Sequence, residues 1–386
     1  MLQIKQITDF ELENKNIIIR EDLNVPLKNG KITSFERIDA CIPSIKKILN
    51  QGANVSILSH LGRPIEGIYD KKYSLEIIIK ALEERVGEEV SFNKNFFQDF
   101  QIDFKNKLTL CENVRFIPGE KKGSKDIANK ISANCDLFIM DAFGVSHRKH
   151  MSCYTLAQTS KAACAGPLLI NEIDSIKKAV SNAENPVVAI IGGAKVSSKL
   201  GVIKSLLDKV DVLILGGGIA NTFLSSTGHK VGKSLWEPEL VNKCNEIIKI
   251  ADSKKVFIPL PEDVVCLNDS QILKKAINEI NNDDIIKDVG EKTIKKYKEV
   301  IETAKTIIWN GPIGVFEEKE FQNGTENVCR SVTNSKAYSL VGGGDTIAAV
   351  ESFDNLSKIS YVSTGGGAFL NFIENDDLPV LKLLKK

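Results

Sequence analysis

One pattern recurs along most of the chain: a short apolar run rich in β-branched residues, then a glycine-rich or polar turn, then a stretch with helical periodicity. Apolar runs of this kind are typical of strands buried on both faces, and their alternation with helices indicates parallel sheets. The predicted strands are residues 16–20, 54–58, 107–111, 136–140, 187–191, 211–215, 254–259, 306–309, 337–341 and 359–362. We therefore expect an α/β fold of Rossmann-like three-layer type, with helices on both faces of each mainly parallel sheet.

The length of the chain predicts two domains, because 386 residues exceed one ordinary hydrophobic core. The tetrapeptide at residues 33–36 resembles a capping box before an amphipathic helix, which Pro43 is expected to kink. Gly166 and Pro167 open a second helix, which ends near Pro186. We expect an N-terminal domain over residues 1–165, a connecting helix over 166–182 and a C-terminal domain over 183–363.

The overall charge argues against a nucleic-acid or membrane surface, since 51 basic residues face 50 acidic ones and the net charge is +1. No apolar run approaches the length of a membrane span, and the first sixteen residues do not resemble a signal peptide. The eight cysteines include no C-x-x-C pair and match no zinc or disulfide framework. A cytoplasmic protein is expected from this pattern.

Arginine is rare but concentrated near the ends of predicted strands. Only seven of the 51 basic residues are arginine, and six of these lie before residue 150. The first-half strands are followed by segments that contain Arg20, Arg63, Arg115 and Arg148. Ligands of parallel α/β sheets bind beyond the carboxyl ends of strands, and guanidinium forks suit phosphate and carboxylate. The pattern predicts a basic cup for a small polyanion, although any single arginine is as easily a structural ion pair.

The predicted strands of the second half are mostly followed by glycine. Glycine-rich segments occur at residues 192–193, 216–218, 311–314, 342–344 and 365–367. Such loops leave backbone amides free for phosphate oxygens, and five of them favour a nucleotide-sized ligand. Lys195 and Lys199 are expected on one face of the next helix, where a phosphate chain would relieve their repulsion, or else as two solvated lysines. Asp345 is either a helix N-cap or a carboxylate ligand for Mg²⁺ beside Thr346.

Nine segments in order resemble the phosphoglycerate kinase family along nearly the whole chain. These segments are residues 20–26, 59–64, 112–116, 141–148, 192–199, 216–223, 309–317, 342–346 and 363–367. The resemblance implies a glycolytic phosphotransferase with a carboxyl group as acceptor, which passes the acyl phosphate of 1,3-bisphosphoglycerate to Mg-ADP and so gives 3-phosphoglycerate and ATP. It also implies a monomer that bends at a hinge, with in-line transfer after the lobes close. Residues 364–386 are then expected to pack back on the first domain.

The resemblance also assigns roles to individual residues. Binding of phosphoglycerate is implied for Asp22, Asn24, Arg37, His60, Arg63, Arg115 and Arg148. Binding of the nucleotide is implied for Gly193, Lys195, Lys199, Asn310, Glu317, Gly343, Gly344, Asp345 and Thr346. Catalytic roles are implied for Arg37, Lys199, Gly343 and Gly366, and the metal Mg²⁺ is assigned to Asp345.

Two departures from the family pattern and two alternatives stay open at this point. Ser198 stands where many relatives carry aspartate, and Asn371 replaces a common glutamate in a short tail. A kinase for another phosphorylated acid would need the same basic cup and the same glycine loops. A nucleotide-binding protein without catalysis would also need the loops, although the paired lysines and the sequence GGGDT argue against it.

Overall fold

The computed structural model describes residues 3–386 and contains sixteen strands and thirteen α-helices within that range. The strands are β1 (Asn16–Arg20), β2 (Leu27–Lys28), β3 (Lys31–Ile32), β4 (Asn54–Leu58), β5 (Ser91–Asn93), β6 (Leu108–Cys111), β7 (Leu137–Met140), β8 (Ala163–Ala165), β9 (Val187–Ile191), β10 (Val212–Leu215), β11 (Asp263–Asn268), β12 (Gln271–Ala276), β13 (Ile285–Val289), β14 (Thr306–Asn310), β15 (Tyr338–Gly342) and β16 (Tyr361–Ser363). The helices are α1 (Glu36–Leu49), α2 (Ile79–Val86), α3 (Phe96–Asp99), α4 (Lys125–Ser132), α5 (Leu156–Thr159), α6 (Pro167–Val180), α7 (Leu200–Leu206), α8 (Gly217–Ser226), α9 (Val241–Lys254), α10 (Glu291–Thr303), α11 (Asn323–Asn334), α12 (Gly344–Phe353) and α13 (Gly366–Asn375).

The chain forms two compact units, and the first contains a six-stranded parallel sheet. Unit 1 consists of the residues up to Ile173 together with Asp377–Lys386. Its strand order is β5-β6-β4-β1-β7-β8, and every neighbouring pair runs parallel. Strands β1, β4, β6 and β7 are almost entirely buried, because their apolar side chains pack against helices such as α1. The predicted α/β fold is confirmed.

Unit 2 consists of Asp174–Asp376 and contains a five-stranded parallel sheet of order β10-β9-β14-β15-β16. Strands β9 and β14 are buried at every position, as their continuous apolar sequences predict. A separate antiparallel sheet of order β12-β11-β13 adds an element that the sequence pattern did not predict. Strand β12 is largely exposed and carries adjacent lysines, so it lacks the apolar run that marked the other strands.

The limits of the two units differ from the expected domain limits. The change from unit 1 to unit 2 falls inside helix α6, between Ile173 and Asp174, rather than at its ends. Residues 364–386 are divided as well, since α13 packs against α7 of unit 2. Ser205 and Lys209 both donate hydrogen bonds to the carbonyl of Ile373 near the end of α13, at 2.8 and 3.1 Å. Of residues 364–386, only Asp377–Lys386 belong to unit 1.

Two local predictions are wrong. The capping box before α1 does not form, because Phe35 occupies the N-cap position and no side chain there caps the helix. The strand expected at residues 254–259 is absent, because α9 continues to Lys254 and Lys255 then takes a left-handed conformation with φ of 60°. Phe257 makes a single bridge to Val212. Within the described residues, no helix has both the length and the apolar character needed to cross a bilayer.

Candidate functional site

The carboxyl ends of four neighbouring strands of unit 1 carry the predicted cup. Strands β6, β4, β1 and β7 are adjacent and parallel, so the segments that follow them lie at one edge of the sheet. The segment after β1 is held to the one after β4, since the amide of Leu23 donates to Ser59 Oγ at 2.8 Å. Ser59 Oγ in turn donates to the carbonyl of Glu21 at 2.7 Å. The sheet topology therefore collects chain segments that are far apart in sequence.

Asp22 is the acidic centre of this edge. Its carboxylate forms an ion pair with Arg37 of α1, and His60 Nδ1 lies 4.0 Å from Asp22 Oδ1. Burial alone would raise the pKa of Asp22, but the charges of Arg37 and Arg20, with the hydrogen bond from the amide of Asn24, outweigh burial and hold the pKa below its usual value. Asp22 therefore stays ionised and fixes the guanidinium of Arg37 at the edge of the cup.

Asn24 and Arg115 both hold the backbone of Gly62. Asn24 Oδ1 accepts a hydrogen bond from the amide of Gly62 at 2.7 Å, and Arg115 donates to the carbonyl of the same residue. Burial, with repulsion from Arg20 and Arg148, lowers the pKa of Arg115 to about 10. Mutual repulsion among these guanidinium groups means that an anion bound between them would be stabilised.

The remaining predicted cations differ in exposure. His60 is only 3% exposed, whereas Arg63 and Arg148 are exposed. Arg63 makes no hydrogen bond or ion pair with other residues of the described range, and Arg148 donates from Nε to His147 at 3.1 Å. Both exposed guanidinium groups therefore keep donors available for a ligand. The structure thus places the predicted residues of unit 1 at one sheet edge.

In unit 2 the glycine loops pack backbone against backbone. A Cβ atom on Gly192, which follows β9, would lie 1.8 Å from the carbonyl oxygen of Pro312 in the loop after β14. Gly217 has a φ of +62°, and a Cβ there would lie 2.8 Å from the oxygen of Gly193. These glycines are required by close approach of the loops themselves, in addition to any ligand.

Lys199 is the cation at the centre of these loops. Its Nζ donates to the carbonyl of Gly192 at 2.6 Å and to the side-chain oxygen of Asn310 at 2.5 Å. Burial lowers the pKa of Lys199 to about 8, against an opposing effect of Asp345. The expected helix face shared with Lys195 is wrong, because α7 begins only at Leu200 and residues 193–199 form a turn. Lys195 is exposed.

The loop after β15 contains the remaining predicted groups. Thr346 is buried, and its hydroxyl accepts from the amide of Gly311 at 2.6 Å and donates to the carbonyl of Gly342 at 3.0 Å. A Cβ on Gly366 would lie 3.0 Å from the Cα of Gly343, so these two predicted catalytic glycines are close neighbours. Gly344 begins α12, and a Cβ atom on this residue would have no other atom within 4 Å.

Asp345 suits a metal that is held mainly by a ligand. It lies in the first turn of α12, where Gly343 and not Asp345 is the N-cap residue. The side chain is exposed and has no hydrogen bond or ion pair within residues 3–386. No group of three His, Cys, Asp or Glu side chains forms a metal cage in that range. Mg²⁺ commonly takes one or two protein carboxylates with substrate phosphates, and Asp345 fits that donor set.

A cavity of about 220 Å³ opens beside the glycine loops. Its walls are mostly apolar, and they include Leu235, Pro261 and Ile286 with Gly193 and Gly217. Glu317 and Asp345 line it as well, as predicted for a nucleotide site, whereas Asn310 is buried beneath Lys199 and does not line it. An apolar cavity with few polar groups beside amide-rich loops suits a planar base and its phosphates.

The lining of the cavity includes a residue that the sequence analysis missed. Asp288 of β13 lines the cavity while being 1% exposed, and burial raises its pKa to about 7. Its carboxylate accepts from the amides of Gly324 and Val289 at 2.7 and 2.9 Å. In unit 1, Glu120 and Ser152 were missed in the same way. None of these residues follows a predicted strand, so the rule that found the other candidates did not reach them.

Comparison with known proteins gives one consistent result. The family model described as phosphoglycerate kinase matches residues 7–376. A phosphoglycerate kinase of Legionella pneumophila (strain Corby) is 46% identical over 100% of this chain and 98% of its own length. One from Nitratidesulfovibrio vulgaris is 43% identical over 100% of this chain and 99% of its own length. The solved structure of phosphoglycerate kinase from Coxiella burnetii is 44% identical with a TM-score of 0.91, covering 99% of this chain and 98% of that one.

Proposed function

The chain belongs to the phosphoglycerate kinase family, and on that premise we propose that it transfers the acyl phosphate of 1,3-bisphosphoglycerate reversibly to Mg-ADP. The products are 3-phosphoglycerate and ATP, so the enzyme is a glycolytic phosphotransferase with a carboxyl group as acceptor in the reverse direction. The bond between the C1 carboxyl oxygen and phosphorus breaks as an oxygen of the ADP β-phosphate attacks the same phosphorus. No covalent intermediate with the protein is needed.

The phosphorylated acid is proposed to bind to unit 1. Asp22, Asn24 and Arg37 suit the carboxyl and hydroxyl end, since they combine acceptors with a guanidinium at the end of β1. His60, Arg63, Arg115 and Arg148 suit the 3-phosphate, because they supply donors and positive charge at the neighbouring strand ends. The repulsion that lowers the pKa of Arg115 supports this assignment, since a bound phosphate would remove it.

The nucleotide is proposed to bind to unit 2. The base and ribose suit the apolar cavity with Glu317 at its wall, and the phosphates suit the amides near Gly193, Gly343 and Gly344. Lys195 and Lys199 would neutralise phosphate charge, and Asp345 would hold Mg²⁺. Magnesium, when bound, screens the charge of the phosphate oxygens and helps to orient them. Asn310 and Thr346 act here by holding Lys199 and the loop after β14 in place.

Lys199 is the observation that carries the proposal. Its ammonium is half-buried among backbone carbonyls, and it is available to a ligand that offers better acceptors than these. Phosphoryl transfer depends on alignment and on charge stabilisation at the phosphate oxygens. Lys199, Arg37 and the amides of Gly343 and Gly366 are proposed to supply this stabilisation. Since the two ligands are assigned to different units, we propose that a hinge movement brings them together and excludes water.

The test is a coupled assay of ATP consumption with Mg²⁺, with and without 3-phosphoglycerate. Turnover that depends on this acid supports the proposal, and related phosphorylated acids should be much poorer acceptors. Binding of both ligands without turnover would contradict it, and turnover with another acid alone would assign a different kinase activity. Omission of Mg²⁺ should abolish turnover.

We also propose a monomeric cytoplasmic enzyme without nucleic-acid or membrane partners. The balanced charge of 51 basic and 50 acidic residues supports this, as do eight free and buried cysteines. Light scattering of the purified protein should give the monomer mass of about 42.5 kDa. A dimer mass that persists on dilution would overturn the monomer.

A further inference from the structure

A line of four buried polar side chains runs through unit 1 and ends in the proposed phosphate site. Glu120, Ser152, Arg20 and His60 are each no more than 3% exposed. Ser152 Oγ lies 2.6 Å from Glu120 Oε1, Arg20 Nε lies 3.1 Å from Ser152 Oγ, and Arg20 Nη2 lies 3.1 Å from His60 Nδ1. Only His60 is among the residues that the resemblance assigned to the ligand.

The direction of each hydrogen bond in this line is fixed by the chemistry of the groups. Glu120 accepts from both the amide and the hydroxyl of Ser152, at 2.9 and 2.6 Å. Since the hydroxyl hydrogen of Ser152 is used for Glu120, the hydroxyl oxygen can only accept from the Nε–H of Arg20. Burial raises the pKa of Glu120, while the Ser152 hydrogen bonds and the charge of Arg20 oppose that rise. Glu120 thus compensates the charge of a guanidinium that is almost completely buried.

Arg20 then determines the form of His60. A guanidinium has hydrogen-bond donors and no acceptor, so His60 Nδ1 must accept and carry a lone pair. The hydrogen of a neutral imidazole must in that case lie on Nε2. Burial lowers the pKa of His60 well below its usual value; Asp22 opposes this, while Arg20, Arg115 and Arg37 add to it. Asp22 would favour a hydrogen on Nδ1, but its Oδ1 is 4.0 Å away and already accepts from the amide of Asn24.

We propose that Glu120 and Ser152 are positioning residues, which hold Arg20 so that it fixes His60 as the neutral Nε2–H tautomer with one donor for the ligand phosphate. This inference rests on the proposed function for the identity of the ligand. In this arrangement the positive charge of the site comes from arginine alone, and His60 contributes one directional hydrogen-bond donor, its Nε2–H. Binding of the acid should therefore carry no contribution from histidine ionisation between about pH 6 and 8, so that any pH dependence there follows the second ionisation of the ligand phosphate, near pH 6.

Unit 1 contains a matched control for this pair. Glu112 is also buried, and it accepts from Ser74 Oγ at 2.6 Å and from the amide of Leu75 at 2.8 Å. The second glutamate–serine pair has the same chemistry and similar burial, and Glu112 also accepts from the amide of Asn113 at 2.7 Å; within residues 3–386, neither member makes a hydrogen bond to Arg20 or His60. Substitutions in the two pairs therefore cost comparable packing and hydrogen bonding, and differ in their connection to His60.

The first experiment is ¹⁵N-histidine NMR on the unliganded enzyme, with the His60 signals assigned by loss in His60→Gln. The chain has only four histidines, so the spectrum is simple. We expect His60 to show a lone-pair Nδ1 and a protonated Nε2, with no titration between about pH 6 and 8. A protonated Nδ1, or an imidazolium that titrates in this range, would overturn the proposal. This readout does not depend on turnover, so the tautomer of His60 can be determined even if the proposed function is wrong.

The second experiment compares Ser152→Ala and Glu120→Gln with Ser74→Ala and Glu112→Gln. In the first pair we expect KM for 3-phosphoglycerate to rise about tenfold, a new pH dependence near pH 6 to 7, and a mixed His60 tautomer, with kcat less affected. Ser152→Thr, which keeps the hydroxyl, should restore the Nε2–H form. Equal changes in KM and in the His60 spectrum for both pairs would assign a merely structural role to Glu120 and Ser152.

Discussion

The two units present their candidate sites by different physical means. In unit 1 the candidate site consists of side chains: guanidinium groups and a histidine at strand ends, held by carboxylates such as the partly buried Asp22 and the buried Glu120. In unit 2 it consists mainly of backbone, since the loops meet where a Cβ would not fit. Within the described residues, Lys199 is the cation whose ammonium is bonded to their carbonyls, and it is half-buried. Unit 1 should therefore be sensitive to loss of charge, and unit 2 to the addition of a single methyl group.

The largest effect is expected where unit 2 does rely on a charge. Lys199→Ala should lower kcat by about a hundredfold to a thousandfold, because it removes the ammonium that lies among the glycine loops of the proposed phosphate site. Steady-state assays with ATP and 3-phosphoglycerate measure this, and circular dichroism checks the fold. Lys204→Ala, in the helix α7 that follows Lys199, is the control and should retain activity. A nearly normal kcat in Lys199→Ala would remove this lysine from the chemistry.

A loss of about a hundredfold in kcat is expected for Arg37→Ala in unit 1. The substitution removes a cation from the candidate site and leaves the partly buried carboxylate of Asp22 without its ion pair. Arg85→Ala is matched to it, because Arg85 of α2 pairs with Asp39 of the same helix α1, and the carboxylate of Asp39 is far more exposed to solvent than that of Asp22. Similar losses in both variants would point to a disturbed helix α1 instead of a damaged site.

The dependence of unit 2 on bare backbone is tested by Gly192→Ala. The new methyl group would lie 1.8 Å from a carbonyl oxygen, so the loops must separate, and unfolding should become easier by about 3 kcal/mol. The control is Gly344→Ala, where no atom lies within 4 Å and the helical position favours alanine. Thermal and urea unfolding measure both. Equal stability of the two variants would show that the loops can accommodate a side chain.

The smallest effect concerns pH and the buried Asp288 of unit 2. Its pKa is raised to about 7, so between about pH 4 and 7 the folded state binds more protons than the unfolded state. Stability therefore decreases as the pH rises through this window, and Asp288→Asn should remove that part of the slope. Urea midpoints at several pH values between 5 and 8 measure the change.

Asp284 provides a control of opposite sign for that experiment. Burial by itself would raise the pKa of Asp284, but hydrogen bonds from Asn268 and Lys275 hold that pKa below its usual value. Its contribution to stability is present above about pH 4, and is lost only as the pH falls further. Asp284→Asn should therefore lower stability by the same amount at pH 5 and pH 8. A pH slope that survives in Asp288→Asn would contradict the assignment to Asp288.

Much of the fold and of the site was predictable from sequence because both depend on local pattern. Continuous apolar runs such as Val187–Ile191 are typical of strands buried on both faces, and in a parallel sheet the residues that follow them share one edge. Asp22, Arg115 and Lys199 were found by this reasoning. The same reasoning placed Lys199 on a helix, because it could not show that the turn after Gly193 extends for six residues.

The rest depends on contacts that no local pattern contains. Arg20 and Ser152 are separated by 132 positions, and Ser152 lies in a π-helical turn with no sequence signature. No glycine immediately precedes Asp288. Its strand β13 belongs to an antiparallel sheet of order β12-β11-β13, and the outer strand β12 is largely exposed, with a polar sequence that does not mark it as a strand. Buried polar residues of this kind become visible only when the tertiary structure shows what each one compensates.

The division of the chain between the two units has a consequence for biosynthesis. The backbone amide of Lys5 donates to the carbonyl of Leu384 at 2.8 Å, and the backbone amide of Lys386 donates to the carbonyl of Gln3. Unit 1 therefore incorporates a segment that is translated after the whole of unit 2. Domains tend to form native structure in the order in which they leave the ribosome. Here that order is reversed for the final step: the unit encoded in the middle can finish folding first. The unit encoded at the start cannot form its contacts with Asp377–Lys386 until that segment has been translated.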